Sequence, residues 1–211
     1  MKRWFGFLTI IALFATTALA VEPSDIPPSP IVKTQLIIDA PLVKRGKPIE
    51  AAVTFTMPPH WHIYWQNPGD SGLPTKLDWA LPEGLTASAI AWPAPERIEF
   101  SGLVNYGYSN IVTLPVTLTP SRDDVMGEVI VKASWLVCKE ICIPESATLT
   151  APLNANADAG KTIATARALV PHPFNGRATF DATADGVILT ITRANPWGTI
   201  EGVRFSPVED G

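Results

Sequence analysis

The sequence has little charge and no basic run. Charged residues make up 17% of its 211 residues, below the usual ~25%, whereas apolar residues make up 46%. A chain of this composition forms a core, which excludes a disordered tail. The net charge of −4 and the lack of clustered Lys or Arg exclude an electrostatic surface for nucleic acid, so we expect no nucleic-acid partner. After residue 20, no apolar run is long enough to cross a bilayer.

Cysteine is scarce as well, with two residues, whereas proline is plentiful, with 21. This is roughly twice the usual share of proline, and it suits turns and edge strands rather than a helix bundle. The length is sufficient for one full domain and part of another.

The first twenty residues have the pattern of a secretory signal peptide. Lys2 and Arg3 are followed by a mostly apolar stretch over 4–17 and by the small-residue site Ala18-Leu19-Ala20. An uncleaved anchor is the alternative, but the apolar run is short for a membrane span. Removal of residues 1–20 takes away two positive charges and changes the net charge from −4 to −6. We therefore expect export to the periplasm, where disulfides can form.

Short strands separated by Pro and Gly turns dominate the rest of the chain. In Ile49–Thr56 the apolar side chains occupy alternate positions, with Glu50 and Thr54 on the opposite face, as in a half-buried strand. About eight such strands predict an all-β fold, an immunoglobulin-like antiparallel β-sandwich. The predicted strands are Ile31–Asp39, Ile49–Thr56, Trp61–Trp65, Leu77–Ala80, Ala87–Trp92, Ile111–Thr119, Glu128–Val137 and Thr148–Leu153.

One helix and one hairpin are predicted after the sandwich. Asp158–Val170 begins with a capping Asp, is rich in Ala and is followed by Pro171. Asp185-Gly186 is a hairpin signal between two further apolar runs, at Ala178–Ala182 and Val187–Thr192. Because this last unit is too small to bury a core, we expect a fragment of a longer protein or one product of a split gene. The predicted segments are the signal peptide 1–20, a Pro-rich lead-in 21–30, the sandwich 31–154, a helical linker 155–171 and a partial second β unit 172–211.

The two cysteines carry the candidate chemistry. Cys138 and Cys142 are separated by three residues, and a hairpin with a three-residue loop would let them pair. Closing a ~5-residue ring contributes only about 2 kcal/mol, so the bond is a weak staple. Alternation along the strand places Cys138 with Lys132 and Ser134 on the more polar face, where a partner thiol can reach it. An inert local disulfide is the alternative that this spacing leaves open.

A metal site is a second interpretation of the same residues. His60 and His62 share one face of a strand, and with two thiolates they could hold Zn or Cu(I). However, Cys-x3-Cys is not a usual structural-zinc spacing. We predict neither a metal site nor a cofactor.

The aromatic and polar residues near His62 have further alternatives. The aromatic cluster is expected to pack in the core rather than to form a sugar-stacking platform. Asp70 and Ser71 suggest a hydrolase triad with His62, but the nucleophile-elbow pattern is absent. The aromatic residues concerned are Trp61, Tyr64, Trp65, Trp79 and Trp92.

Four motifs resemble the periplasmic N-terminal domain of the DsbD/ScsB family of thiol:disulfide interchange proteins. The resemblance covers roughly residues 31–153 and is closer to the ScsB-like branch, because DsbD spaces its cysteines more widely. The motifs are His60–Pro74 (HWHIYWQNPGDSGLP), Trp92–Pro95 (WPAP), Asn105–Tyr108 (NYGY) and Leu136–Glu145 (LVCKEICIPE).

The resemblance implies an immunoglobulin-like domain in which Cys138 and Cys142 cycle between dithiol and disulfide. In the family, a membrane electron-transfer domain passes electrons to a thioredoxin-like donor, which belongs to the same chain or to a separate one. The donor then reduces this domain. The domain then reduces periplasmic thioredoxin-like disulfide isomerases or reductases, with Cys142 as the attacking cysteine and no organic cofactor.

The resemblance also implies a cap loop at Glu96–Gly102. Phe100 matches the cap aromatic, Glu99 an acidic neighbour of the active site, and Tyr108 an aromatic after the cap. Ile98 stands where DsbD has a second acid, which weakens any role of this loop in proton transfer. An apolar lid keeps the thiolate scarce and slows its oxidation by stray disulfides.

Two rival functions remain at this point. The domain could be a non-catalytic interaction module with a permanent disulfide, or a copper-handling protein that binds Cu(I) through its cysteines. The first predicts no mixed disulfide with a partner, and the second predicts tight Cu(I) binding that His62→Ala weakens.

Overall fold

A computed structural model describes residues 30–153, 157–194 and 204–208. The predicted signal peptide at 1–20 and most of the Pro-rich lead-in lie outside these residues. None of the described residues belongs to a helix that is long and apolar enough to span a membrane. In chain order the described elements are β1 (Lys33–Asp39), β2 (Ile49–Thr56), β3 (His62–Gly69), β4 (Lys76–Ala80), β5 (Leu85–Ala87), β6 (Glu96–Phe100), β7 (Leu103–Ser109), β8 (Ile111–Pro120), β9 (Glu128–Cys138), β10 (Cys142–Pro152), α1 (Ala157–Arg167), β11 (Arg177–Thr183) and β12 (Gly186–Thr192).

Two antiparallel sheets form the sandwich. One has the order β1-β2-β8-β5, and the other has the order β10-β9-β3-β7-β6, with β4 paired to β9. Their inner faces share one apolar core, in which Phe55 of the first sheet meets Trp135 of the second edge to face at 5.3 Å. The predicted all-β, immunoglobulin-like sandwich is confirmed.

The alternating patterns identify the strands that are half buried. The predicted strand Ile49–Thr56 is β2 without any change of boundary. In β9 every second residue from Val129 to Val137 is buried, as predicted. These strands have one face on the core and are therefore the ones that period-2 patterning detects best.

The segment after β5 differs from its prediction. Only Leu85–Ala87 is a strand, although Ala87–Trp92 was expected to be one. Ser88 and Ala91 still donate backbone hydrogen bonds to the carbonyls of Thr117 and Pro115 on β8. Pro115 has no N–H with which to return a bond, so the ladder does not continue.

The stretch predicted as a cap loop forms the first strand and the turn of a hairpin. Glu96–Phe100 pairs with Leu103–Ser109 along its whole length. Ser101 and Gly102 connect the strands with φ values of 51° and 82°. Positive φ at both central residues is the geometry that two-residue hairpins favour.

The predicted helix and hairpin after the sandwich are both present. Helix α1 packs Ala159 and Ile163 against Ile37 and Ala52 on the outer face of the first sheet. It ends at Arg167, earlier than the predicted Val170, although turns continue to that residue. Strands β11 and β12 pair across a turn at Ala184 and Asp185, and Gly186 is the first residue of β12. The division of the chain into domains stays a prediction.

Candidate redox site

A hairpin brings the two cysteines together. Cys138 ends β9, Cys142 begins β10, and the two residues are directly opposite in the register. Their Cα atoms are 4.2 Å apart and their sulfurs form a disulfide. The predicted pairing across a three-residue loop is confirmed.

The two cysteines differ in exposure. Cys142 is exposed at the start of β10, the edge strand of its sheet, and Ile141 beside it is 50% exposed. Cys138 is only 2% exposed, so the expectation that it would be accessible is wrong. It lies opposite the core, as its alternation predicted, but His62 of β3 pairs with it and Tyr64 covers it. Of the two cysteines, Cys142 is therefore the one that is open to solvent.

The side chain of Tyr64 contacts both sulfurs. Its hydroxyl lies 3.1 Å from Sγ of Cys138 and 3.6 Å from Sγ of Cys142. Because disulfide sulfurs carry no hydrogen, the phenol is the donor. Burial raises the pKa of Tyr64, and the Ser71 side chain opposes this shift. The hydroxyl therefore keeps its proton at neutral pH.

His62 forms the wall beside these groups. Its ring meets that of Tyr64 edge to face at 5.3 Å, and its Nε2 is buried without a hydrogen-bond partner among the described residues. Burial lowers the pKa of His62, although the charge of Glu96 opposes the shift, so the ring is uncharged at neutral pH. Across 30–153, 157–194 and 204–208, no three His, Cys, Asp or Glu side chains come together as a metal site would require.

A family model described as "Thiol:disulfide interchange protein DsbD, N-terminal" matches residues 32–154, more than half of the chain. The chain belongs to this family. The match spans all ten strands of the sandwich and both cysteines. This chain thus contains a thiol:disulfide interchange domain with a cysteine pair.

One solved structure supports the same fold. The N-terminal periplasmic domain of ScsB from Proteus mirabilis is similar, with a TM-score of 0.63 and 20% identity over 81% of this chain and 67% of that chain. The N-terminal domain of DsbD from Neisseria meningitidis in the reduced form gives a TM-score of 0.33 and 12% identity over 63% of this chain and 91% of that chain. A search of curated proteins finds no match.

The loop after β3 holds Tyr64 in place. Gly72, with φ of +96°, lies so close that a Cβ there would overlap the Tyr64 ring. Ser71 anchors the loop because its backbone N–H and its hydroxyl both donate to Oδ1 of Asn105 at 3.0 Å. The hydroxyl of Thr75 donates to the carbonyl of Tyr64. The His60–Pro74 motif therefore forms one side of the redox site.

Replacing Gly72 by alanine is expected to destabilise the domain by roughly 3–4 kcal/mol, because strain at positive φ adds to overlap with Tyr64. Gly46→Ala is a matched control, because Gly46 also has positive φ (+70°) but has no atom within 4 Å of the position of its Cβ. It is expected to cost only about 1–2 kcal/mol. Urea unfolding measures both free energies, and equal losses would show that the Gly72 loop does not press on Tyr64.

The three residues placed around the active site by resemblance lie along β6 and β7. Phe100 is 45% exposed at the hairpin tip and Glu99 pairs with Arg97. Tyr108 is buried and donates to the carbonyl of Pro93 at 2.8 Å, and burial raises its pKa. On β7, Ser109 is directly opposite His62. Phe100 is directly opposite Leu103, which is six residues before Ser109 on the same strand. The roles given to Glu99, Phe100 and Tyr108 stay predictions.

Tyr64 is the side chain at this site that the sequence does not reveal. The sequence predicts it in the aromatic core, and Trp61 and Trp65 are indeed in the core. Alternation along β3 contains the missing signal, because Tyr64 shares a face with His62, whereas Ile63 and Trp65 face the core.

Proposed function

We propose that this domain relays reducing equivalents in the periplasm by thiol–disulfide exchange. A thioredoxin-like donor, in the same or a separate chain, reduces it. The donor receives its electrons from a membrane electron-transfer domain. The domain then reduces a thioredoxin-like isomerase or reductase. The observation that carries this proposal is a disulfide between an exposed residue, Cys142, and a buried residue, Cys138.

The exposure of Cys142 supports one order of steps. In the step that reduces the domain, a donor thiolate attacks Sγ of Cys142. The disulfide bond to Cys138 breaks, and Cys138 leaves as a thiolate. The second donor thiol then attacks the mixed disulfide, which leaves the donor oxidised and this domain as a dithiol after proton uptake from solvent. Delivery to the acceptor is the reverse sequence, in which Cys142 attacks and Cys138 resolves.

The position of the bond supports exchange over a structural role. Strands β9 and β10 are already paired from Cys138 and Cys142 to Glu128 and Pro152. A disulfide at the end of this ladder closes only a short ring and removes little entropy from the unfolded chain. Reduction of the disulfide is therefore expected to lower the free energy of unfolding only slightly.

We expect a reduced thioredoxin-like protein with a Cys-x-x-Cys pair to reduce the domain completely while the domain stays folded. Alkylation and mass spectrometry at timed points measure the free thiols, and near-UV circular dichroism follows the fold. Equilibration with the same partner gives the reduction potential. A disulfide that persists in the native domain under excess partner would instead support the permanent-bond module.

A further inference from the structure

Sγ of Cys138 has a specific hydrogen-bond donor. The Tyr64 hydroxyl is 3.1 Å from this sulfur and 3.6 Å from that of Cys142, and the tyrosine is 1% exposed. The donor is therefore closer to the buried sulfur, whereas Cys142 is the exposed residue of the pair. The distance to the Tyr64 hydroxyl and the exposure to solvent therefore both distinguish Cys138 from Cys142.

We propose that Tyr64 is a catalytic residue of the exchange, whose hydroxyl stabilises the thiolate formed at Cys138 and so directs attack to Cys142. This inference rests on the proposed function and adds a role for a named atom. As the partner thiolate bonds to Sγ of Cys142, the electron pair of the S–S bond passes to Sγ of Cys138. The phenol keeps its proton and donates a hydrogen bond to that new negative charge.

The buried sulfur needs such a donor. A free thiol has a pKa near ~8.5, and apolar burial raises it, because the charged form loses its hydration. Cys138 is 2% exposed and the neighbouring His62 ring is uncharged at neutral pH, so neither water nor an imidazolium compensates. A hydrogen bond to an ionised acceptor is about twice as strong as one between neutral groups. The Tyr64 hydroxyl can therefore stabilise the departing thiolate selectively over the disulfide.

The donor is also held in position before the reaction. Gly72 packs on the ring from one side and His62 meets it edge to face. A group that is already oriented toward the atom where charge develops needs no rearrangement during the step. The Tyr64 hydroxyl can therefore stabilise the transition state without a further loss of side-chain conformational entropy.

The test compares Tyr64→Phe with Tyr106→Phe. Both changes remove one phenol oxygen, but Tyr106 lies on β7 with its ring against Trp65. Tyr64→Phe is expected to slow reduction by a thioredoxin-like dithiol about three- to tenfold, because the leaving sulfur carries only part of its charge in the transition state. Tyr106→Phe is expected to react at the rate of the unmodified domain. Mass mapping of the mixed disulfide is expected to show a larger fraction of adduct at Cys138 only in Tyr64→Phe.

A second measurement does not require a partner. In a Cys142→Ser background, Cys138 is the only thiol, and Tyr64→Phe is expected to raise its pKa by about one unit. Replacing all three tyrosines by fluorotyrosine keeps the ring and makes the hydroxyl a stronger donor, so it is expected to lower this pKa. The fluorotyrosine protein also tests the role if the Phe variant does not fold.

The outcomes separate the two proposals. If the unmodified domain is reduced, but Tyr64→Phe changes neither the rate nor the Cys138 pKa, the role of Tyr64 is wrong and the relay stands. If the unmodified domain is not reduced, the relay is wrong, and the pKa measurement alone decides whether Tyr64 stabilises the thiolate.

Discussion

Cys138→Ser is expected to trap a mixed disulfide between Cys142 and a thioredoxin-like partner. The exposed Cys142 thiolate can attack, but no second sulfur remains in this domain to resolve the adduct. The partner should carry a serine in place of its own resolving cysteine and be activated as a mixed disulfide with an aromatic thiol. Non-reducing electrophoresis and mass spectrometry measure the adduct.

The matched variant for this experiment is Cys142→Ser. It leaves Cys138 as the only thiol, and this residue is 2% exposed beneath Tyr64. We expect it to form adduct at least about tenfold more slowly, because a buried thiol is a poor nucleophile. Equal rates for the two variants would contradict the assignment of Cys142 as the attacking cysteine.

Phe55→Ala is expected to destabilise the domain by about 3–5 kcal/mol, a large part of the ~5–15 kcal/mol that holds a typical domain folded. Phe55 is completely buried and meets Trp135 across the two sheets at 5.3 Å. The lost ring leaves a cavity between the sheets. Urea unfolding measures the free energy.

Phe180→Ala provides the control for this change. Phe180 lies on β11 and is 63% exposed, so its truncation is expected to change stability by less than about 0.5 kcal/mol. A loss of less than about 1 kcal/mol for Phe55→Ala would show that the contact between the sheets contributes little to stability.

The sequence predicts the strands that have one polar and one apolar face. Strands β2 and β9 follow the alternation closely, because each contributes one face to the core. The hairpin of β6 and β7 escaped prediction because its exposed residues show little apolar pattern, and Ser101-Gly102 is a weaker turn signal than Asp-Gly.

At the candidate site, too, the sequence predicts some features and not others. The pairing of Cys138 with Cys142 follows from local geometry, since a short hairpin places them opposite each other. The burial of Cys138 does not, because it depends on β3, which is distant in sequence, lying next to the end of β9. Alternation reports which face a residue occupies, but not what covers that face. The contact of Tyr64 with the sulfurs required the same long-range pairing.

The cross-strand placement of Cys138 and Cys142 has a consequence for the whole redox cycle. Because β9 and β10 are paired along their whole length, we expect the ladder to hold both residues opposite each other when the proposed cycle opens the sulfur–sulfur bond. The two thiols therefore keep a high effective molarity toward one another, and ring closure competes well with escape of a bound partner. The same backbone can serve as oxidised and reduced scaffold, so each turnover needs no refolding.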